Sequence, residues 1–98
     1  MVHYLMLLRF TDKGVSAVHD SPKRAESFRA AVAKAGGNVE AQYWTLGEYD
    51  GALIFSAPDE PTAVALAVEL GKLGNVRTTM LRAFDAVEFK AILGKVPS

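Results

Sequence analysis

Cysteine is absent from this 98-residue sequence, which excludes disulfide bonds, thiolate nucleophiles and thiolate metal sites. An excess of either charge is lacking too, because 11 Lys and Arg balance 11 Asp and Glu. A neutral chain has no overall attraction to phosphate, so we expect neither nucleic-acid nor membrane binding. No apolar run approaches the ~20 residues of a bilayer-crossing helix. The apolar start also lacks the basic segment and cleavage site of a signal peptide, which favours a cytoplasmic protein.

The common catalytic and cofactor motifs are missing as well. There is no phosphate-binding glycine loop, no dinucleotide fingerprint, no nucleophile elbow and no zinc-protease helix. The two histidines, His3 and His19, have no carboxylate at a recognised ligand spacing. We therefore expect no metal and no bound cofactor.

What is present is enough apolar sequence, half of all residues, to build one domain over residues 1–98. Bulky apolar runs predict strands at 2–10, 39–46, 52–57 and 76–84. Apolar residues at three- and four-residue spacing predict a helix with Ser21 as its N-cap and Pro22 at its first position, ending at Gly36. They predict a second helix over 62–73 capped by Asp59. A capping box at Asp85 predicts a short C-terminal helix.

This β-α-β-β-α-β order predicts an α+β, ferredoxin-like domain with a four-stranded antiparallel sheet. Both long helices should cover the same face of that sheet. The first strand nevertheless carries apolar side chains on both sides, since Leu5 and Leu7 alternate with Tyr4 and Met6. An apolar second face predicts a partner, and the simplest is a second copy packed sheet to sheet, a homodimer.

Several residues are candidates for a functional site. Alternation on the second strand places Tyr43 towards the helices and Trp44 in the dimer interface. Tyr49 and Asp50 could act as an acid and base pair, although they could equally serve only to fix the hairpin. His3 could be a base, and is otherwise a structural histidine. Arg9 and Arg77 could anchor a ligand.

The run Tyr-Trp-Thr-Leu-Gly-Glu-Tyr-Asp at 43–50 closely resembles the GYD domain family of small bacterial proteins. The resemblance extends to Tyr4, Thr11, Gly14, the segment 20–25, Ala-Pro-Asp at 57–59 and Leu-Gly-Asn-Val-Arg-Thr at 73–78, and so covers nearly the whole chain. It implies a dimeric α+β barrel of ferredoxin-like protomers, and it supplies no activity.

Three functions stay open at this point. The chain could be a homo-oligomeric module that binds a small molecule between sheet and helices. It could be a cofactor-independent enzyme, similar to the monooxygenases or isomerases of the wider superfamily, acting on a small aromatic or enolisable compound. It could also be an interaction scaffold without a ligand.

Overall fold

The computed structural model describes all 98 residues as one α+β unit. Its strands are β1 (Val2–Phe10), β2 (Asn38–Trp44), β3 (Gly51–Ala57) and β4 (Val76–Ala83). Its helices are α1 (Asp12–Ser16), α2 (Ser21–Lys34), α3 (Glu60–Lys72) and α4 (Ala86–Leu93), and a 3-10 turn, Val18–Asp20, runs directly into α2. None of the helices is both long enough and apolar enough to cross a membrane.

The four strands form one antiparallel sheet in the order β2-β3-β1-β4, which confirms the predicted ferredoxin-like topology. Local signals mark the helix starts as expected. Asp59 accepts a hydrogen bond from the backbone N–H of Thr62 at the start of α3. The Thr62 side chain first, and this backbone N–H second, lower the pKa of Asp59 by hydrogen bonding to its carboxylate. Asp85 and Glu88 form the predicted capping box of α4.

One apolar core lies between the sheet and the two long helices. Phe28 and Val32 of α2 and Ala63 of α3 pack against the inward side chains of the sheet. On β1 these inward residues are Tyr4 and Met6, which are 3% and 0% exposed. Burial, reinforced by the Glu60 carboxylate, raises the pKa of Tyr4. Both long helices therefore cover the same face.

The opposite side of the sheet, which we call the uncovered face, has no helix packed on it from α2 or α3. Cross-strand pairing sets Leu5 beside Ile54 and Leu81, and Leu7 beside Ala52 and Thr79. Ile54 and Leu81 are 38% and 46% exposed. The apolar members of this face are Leu5, Leu7, Ala41, Tyr43, Ala52, Ile54 and Leu81. The sheet is thus apolar on both sides, as β1 predicted.

A β-bulge changes the second strand. The register of β2 against β3 shifts between Val39, which pairs with Phe55, and Ala41, which pairs with Ile54. Glu40 is the extra residue, so the side chains after it face the side opposite to the one simple alternation predicts. The Glu40 carboxylate reaches His3 Nε2 at 3.2 Å.

Candidate functional site

A cavity of about 330 Å³ lies between the sheet and helices α2 and α3. Its volume is near the lower end of the range usual for small-molecule sites, roughly 300–1,000 Å³. Its walls are mainly apolar, with Leu8 and Leu53 from the sheet and Phe28 from α2. The lining residues that carry a polar side-chain group are Ser21, Arg24, Ser27, Gln42, Tyr43, Trp44, Asp50, Glu69 and Asn75. An apolar cavity with a few polar groups is what a small, partly apolar ligand requires.

Trp44 lies on the cavity side, because it pairs with Gly51 next to the inward-facing Leu8. Its indole Nε1 donates to Ser21 Oγ at 2.9 Å and so joins the end of β2 to the start of α2. Tyr43 pairs with Ala52 on the uncovered face and is 67% exposed. Simple alternation predicts Tyr43 towards the helices and Trp44 away from them, whereas the structure turns Trp44 to the cavity side and leaves Tyr43 as a mostly exposed residue at the cavity border. The bulge at Glu40 reverses which of the two rings lies on the helix side of the sheet.

Ser21 also differs from its predicted role. The sequence indicates an N-cap, but Ser21 is already helical and makes no capping hydrogen bond, because the 3-10 turn leads straight into α2. It is buried, with 8% of its surface exposed, and its hydroxyl oxygen accepts from Trp44 instead. Ser21 and Trp44 are thus residues of the cavity that sequence patterns did not identify.

Asp50 is the candidate acid that borders the cavity. Its carboxylate Oδ2 accepts from the backbone N–H of Phe10 at 2.8 Å, and its own N–H donates to Leu8 O at 2.8 Å. The carboxylate therefore ties the hairpin between β2 and β3 to the end of β1. This contact supports a structural role for Asp50 at the edge of the cavity.

The remaining candidates lie away from the cavity. Arg9 stacks over the Tyr49 ring at 4.6 Å and pairs with Glu48 at 2.6 Å, so it fastens the hairpin outside the cavity. His3 lies on the uncovered face, 3.2 Å from Glu40 and 3.9 Å from Glu88. The structure does not bring these side chains together with Asp50.

Arg77 is exposed and reaches Gly71 O at 3.4 Å. It does not line the cavity either. No group of three or more His, Asp or Glu side chains is arranged to hold a metal ion.

Residues that carry the family resemblance make contacts with one another or with the backbone at two places beside the cavity. Thr11 donates through its hydroxyl to Gly74 O and through its N–H to Asn75 O. Gly14 packs so closely on Asn75 that an added Cβ would lie 2.0 Å from that carbonyl oxygen. The second place is the Asp50 contact with Phe10. Both motifs hold loops against the end of β1.

We expect Asp50→Ala to lower the free energy of unfolding by about 1–3 kcal/mol, because the Phe10 N–H loses a charged acceptor. Asp50→Asn keeps an oxygen acceptor and should lose less. Urea unfolding measures both variants. If Asp50→Ala weakened the binding of a cavity ligand more than it lowered stability, Asp50 would be a ligand-binding residue rather than a structural one.

Comparison with known proteins agrees with this geometry. The chain is similar to TTHA0845 from Thermus thermophilus, at 23% identity and a TM-score of 0.56, over 88% of this chain and 96% of that one. An ACT domain protein from Streptococcus pneumoniae aligns at 14% identity and a TM-score of 0.46, over 100% of this chain and 98% of that one. No curated protein matched the sequence. The model of the GYD domain matches residues 4–93, and the chain therefore belongs to the GYD domain family.

Proposed function

We propose that this chain is a homodimeric bacterial domain that binds a small molecule in the cavity between its sheet and helices. The observation that carries the proposal is the cavity itself, about 330 Å³ of mostly apolar space beside the core. The cavity is partly open to solvent, so a small molecule could enter it. A cytoplasmic location stays a prediction from the sequence.

The homodimer is supported by apolar surface that one protomer leaves uncovered. Besides the uncovered face, α4 exposes Val87 (80%), Phe89 (52%) and Leu93 (53%). This helix has eight residues, and isolated helices shorter than about 12–15 residues are marginal in water. A second copy that covers the sheet face and α4 would stabilise both.

The enzymatic alternative has less support. It needs a proton-transfer group in an enclosed site, and Tyr43 and His3 direct their side chains to the uncovered face. Asp50 remains, and its Oδ2 already accepts a backbone hydrogen bond. An interaction scaffold without a ligand would also use the uncovered face, but it would leave the cavity without a function.

A substitution that fills the cavity tests whether it binds a small molecule. Trp44 is the sole tryptophan and borders the cavity, so its fluorescence reports on occupancy. We expect at least one of three single-ring probes (phenylacetate, phenylacetamide and phenethylamine) to change this emission saturably. Ala25→Phe places a ring in the cavity from α2 and should weaken that probe about tenfold or more, equivalent to ~1.4 kcal/mol.

Ala30→Phe is the matched control, because Ala30 is exposed on the same helix and does not line the cavity. Its affinity for the probe should equal that of the unaltered protein. If no probe gave a saturable signal, or if both variants bound equally well, the cavity would not be a binding site.

A further inference from the structure

The guanidinium of Arg24 lacks partners for most of its hydrogen-bond donors. Nη1 donates to Ala17 O at 2.9 Å, while Nη2 is buried and has no hydrogen-bond partner. Arg24 takes part in none of the ion pairs of the molecule, which join His3, Arg9 and Arg82 to glutamates. It is therefore a cation in the cavity wall without a counter-charge.

Burying such a cation without a partner raises the free energy of the folded protein. A buried donor that finds no acceptor loses its hydration without compensation, and the loss is larger for a charged group. The walls near Arg24 include Ala25 and Phe28 of the same helix, which offer no side-chain acceptor. An anionic ligand group in the cavity would supply the missing counter-charge.

Ser21 adds a second donor beside Arg24. The two residues are three positions apart on α2, so their side chains lie on the same side of the helix. The Ser21 oxygen accepts from Trp44 Nε1, but its hydroxyl proton has no acceptor in the protein. With 8% exposure this hydroxyl is almost out of reach of bulk water. Arg24 and Ser21 both belong to the cavity lining.

Two carboxylates also line the cavity, and neither forms an ion pair with Arg24. Asp50 Oδ2 is held by the Phe10 N–H at 2.8 Å. Glu69 is an exposed residue near the end of α3 and forms no ion pair. These acids make a cationic ligand the competing hypothesis, which the experiment includes.

We infer that the cavity takes a small carboxylic acid, bound as its carboxylate. The Arg24 guanidinium and the Ser21 hydroxyl would hold the carboxylate, and the apolar walls at Leu8, Phe28 and Leu53 would hold a body of about one ring. This inference rests on the proposed function and names the chemical class of its ligand.

The experiment compares three probes of nearly equal shape, phenylacetate, phenylacetamide and phenethylamine, by Trp44 fluorescence on the whole chain. We expect phenylacetate to bind about tenfold or more tightly than phenylacetamide, and phenethylamine to bind weakest. Arg24→Gln should remove the preference for the carboxylate, so that phenylacetate and phenylacetamide bind about equally. Arg29→Gln, on the same helix and outside the cavity, should keep the preference.

The outcomes separate this inference from the proposed function. Equal binding of carboxylate and amide, or tighter binding of the amine, would overturn the carboxylate and leave the cavity as a binding site. Binding of none of the three would overturn both. Arg24→Gln also loses a donor to Ala17 O, so Arg24→Lys is a second variant that keeps the charge, and it should retain a preference for phenylacetate over phenylacetamide.

Discussion

Phe55→Ala is expected to lower the free energy of unfolding by about 3–5 kcal/mol. Phe55 is fully buried, its ring stacks on Tyr4 with centroids 5.5 Å apart, and Phe28 meets it edge-on at 5.8 Å. Removing the ring leaves a void where sheet and α2 meet and breaks both aromatic pairs. Domains of this size have only about 5–15 kcal/mol of stability, so a large share of it would be lost.

Urea unfolding followed by circular dichroism measures this loss. Phe84→Ala is the control, because Phe84 is 48% exposed and its ring carries only the Arg82 guanidinium at 4.4 Å. We expect the control to lose about 1 kcal/mol or less. A Phe55→Ala variant as stable as the control would mean that Phe55 does not anchor the core.

The second large effect concerns the proposed dimer. Ile54→Asp places a carboxylate in the middle of the uncovered face, beside Leu5 and Ala41. In a sheet-to-sheet dimer this charge would be buried without a partner. An uncompensated buried charge costs about 3–5 kcal/mol. We expect the dimer to dissociate at least about a hundredfold more readily, equivalent to ~2.7 kcal/mol. Sedimentation velocity at several protein concentrations measures the change.

The folded protomer should tolerate this substitution, because Ile54 is 38% exposed in the single chain. Val68→Asp is the matched control, since Val68 is exposed on the outer side of α3 and does not belong to the uncovered face. It should leave the association unchanged. A monomeric unaltered protein, or dissociation by both variants alike, would refute sheet-to-sheet packing.

The sequence predicts the fold well because each element has a local signal. The double apolar pattern of β1 indicates a sheet with two apolar faces, and Asp59 and Asp85 cap the helices that follow them. These signals act within a few residues, so they can be recognised without knowing which parts of the chain meet.

The site is less predictable because it depends on contacts between distant residues. Nothing in the sequence between Val39 and Ala41 marks the bulge that turns Trp44 inward. Helical spacing places Arg24 among the charged residues outside the apolar face, yet its long side chain reaches back to Ala17 and borders the cavity. Its missing partner becomes visible only once the surrounding backbone is known.

The end of β1 has a consequence for how the cavity could signal its occupancy. The adjacent amides of Phe10 and Thr11 donate to Asp50 and to Asn75, which both line the cavity on different loops. Two loops 25 positions apart in the chain are thus fixed to one rigid dipeptide. Hydrogen exchange at these two amides should slow together when the cavity fills, which makes them paired reporters of ligand occupancy.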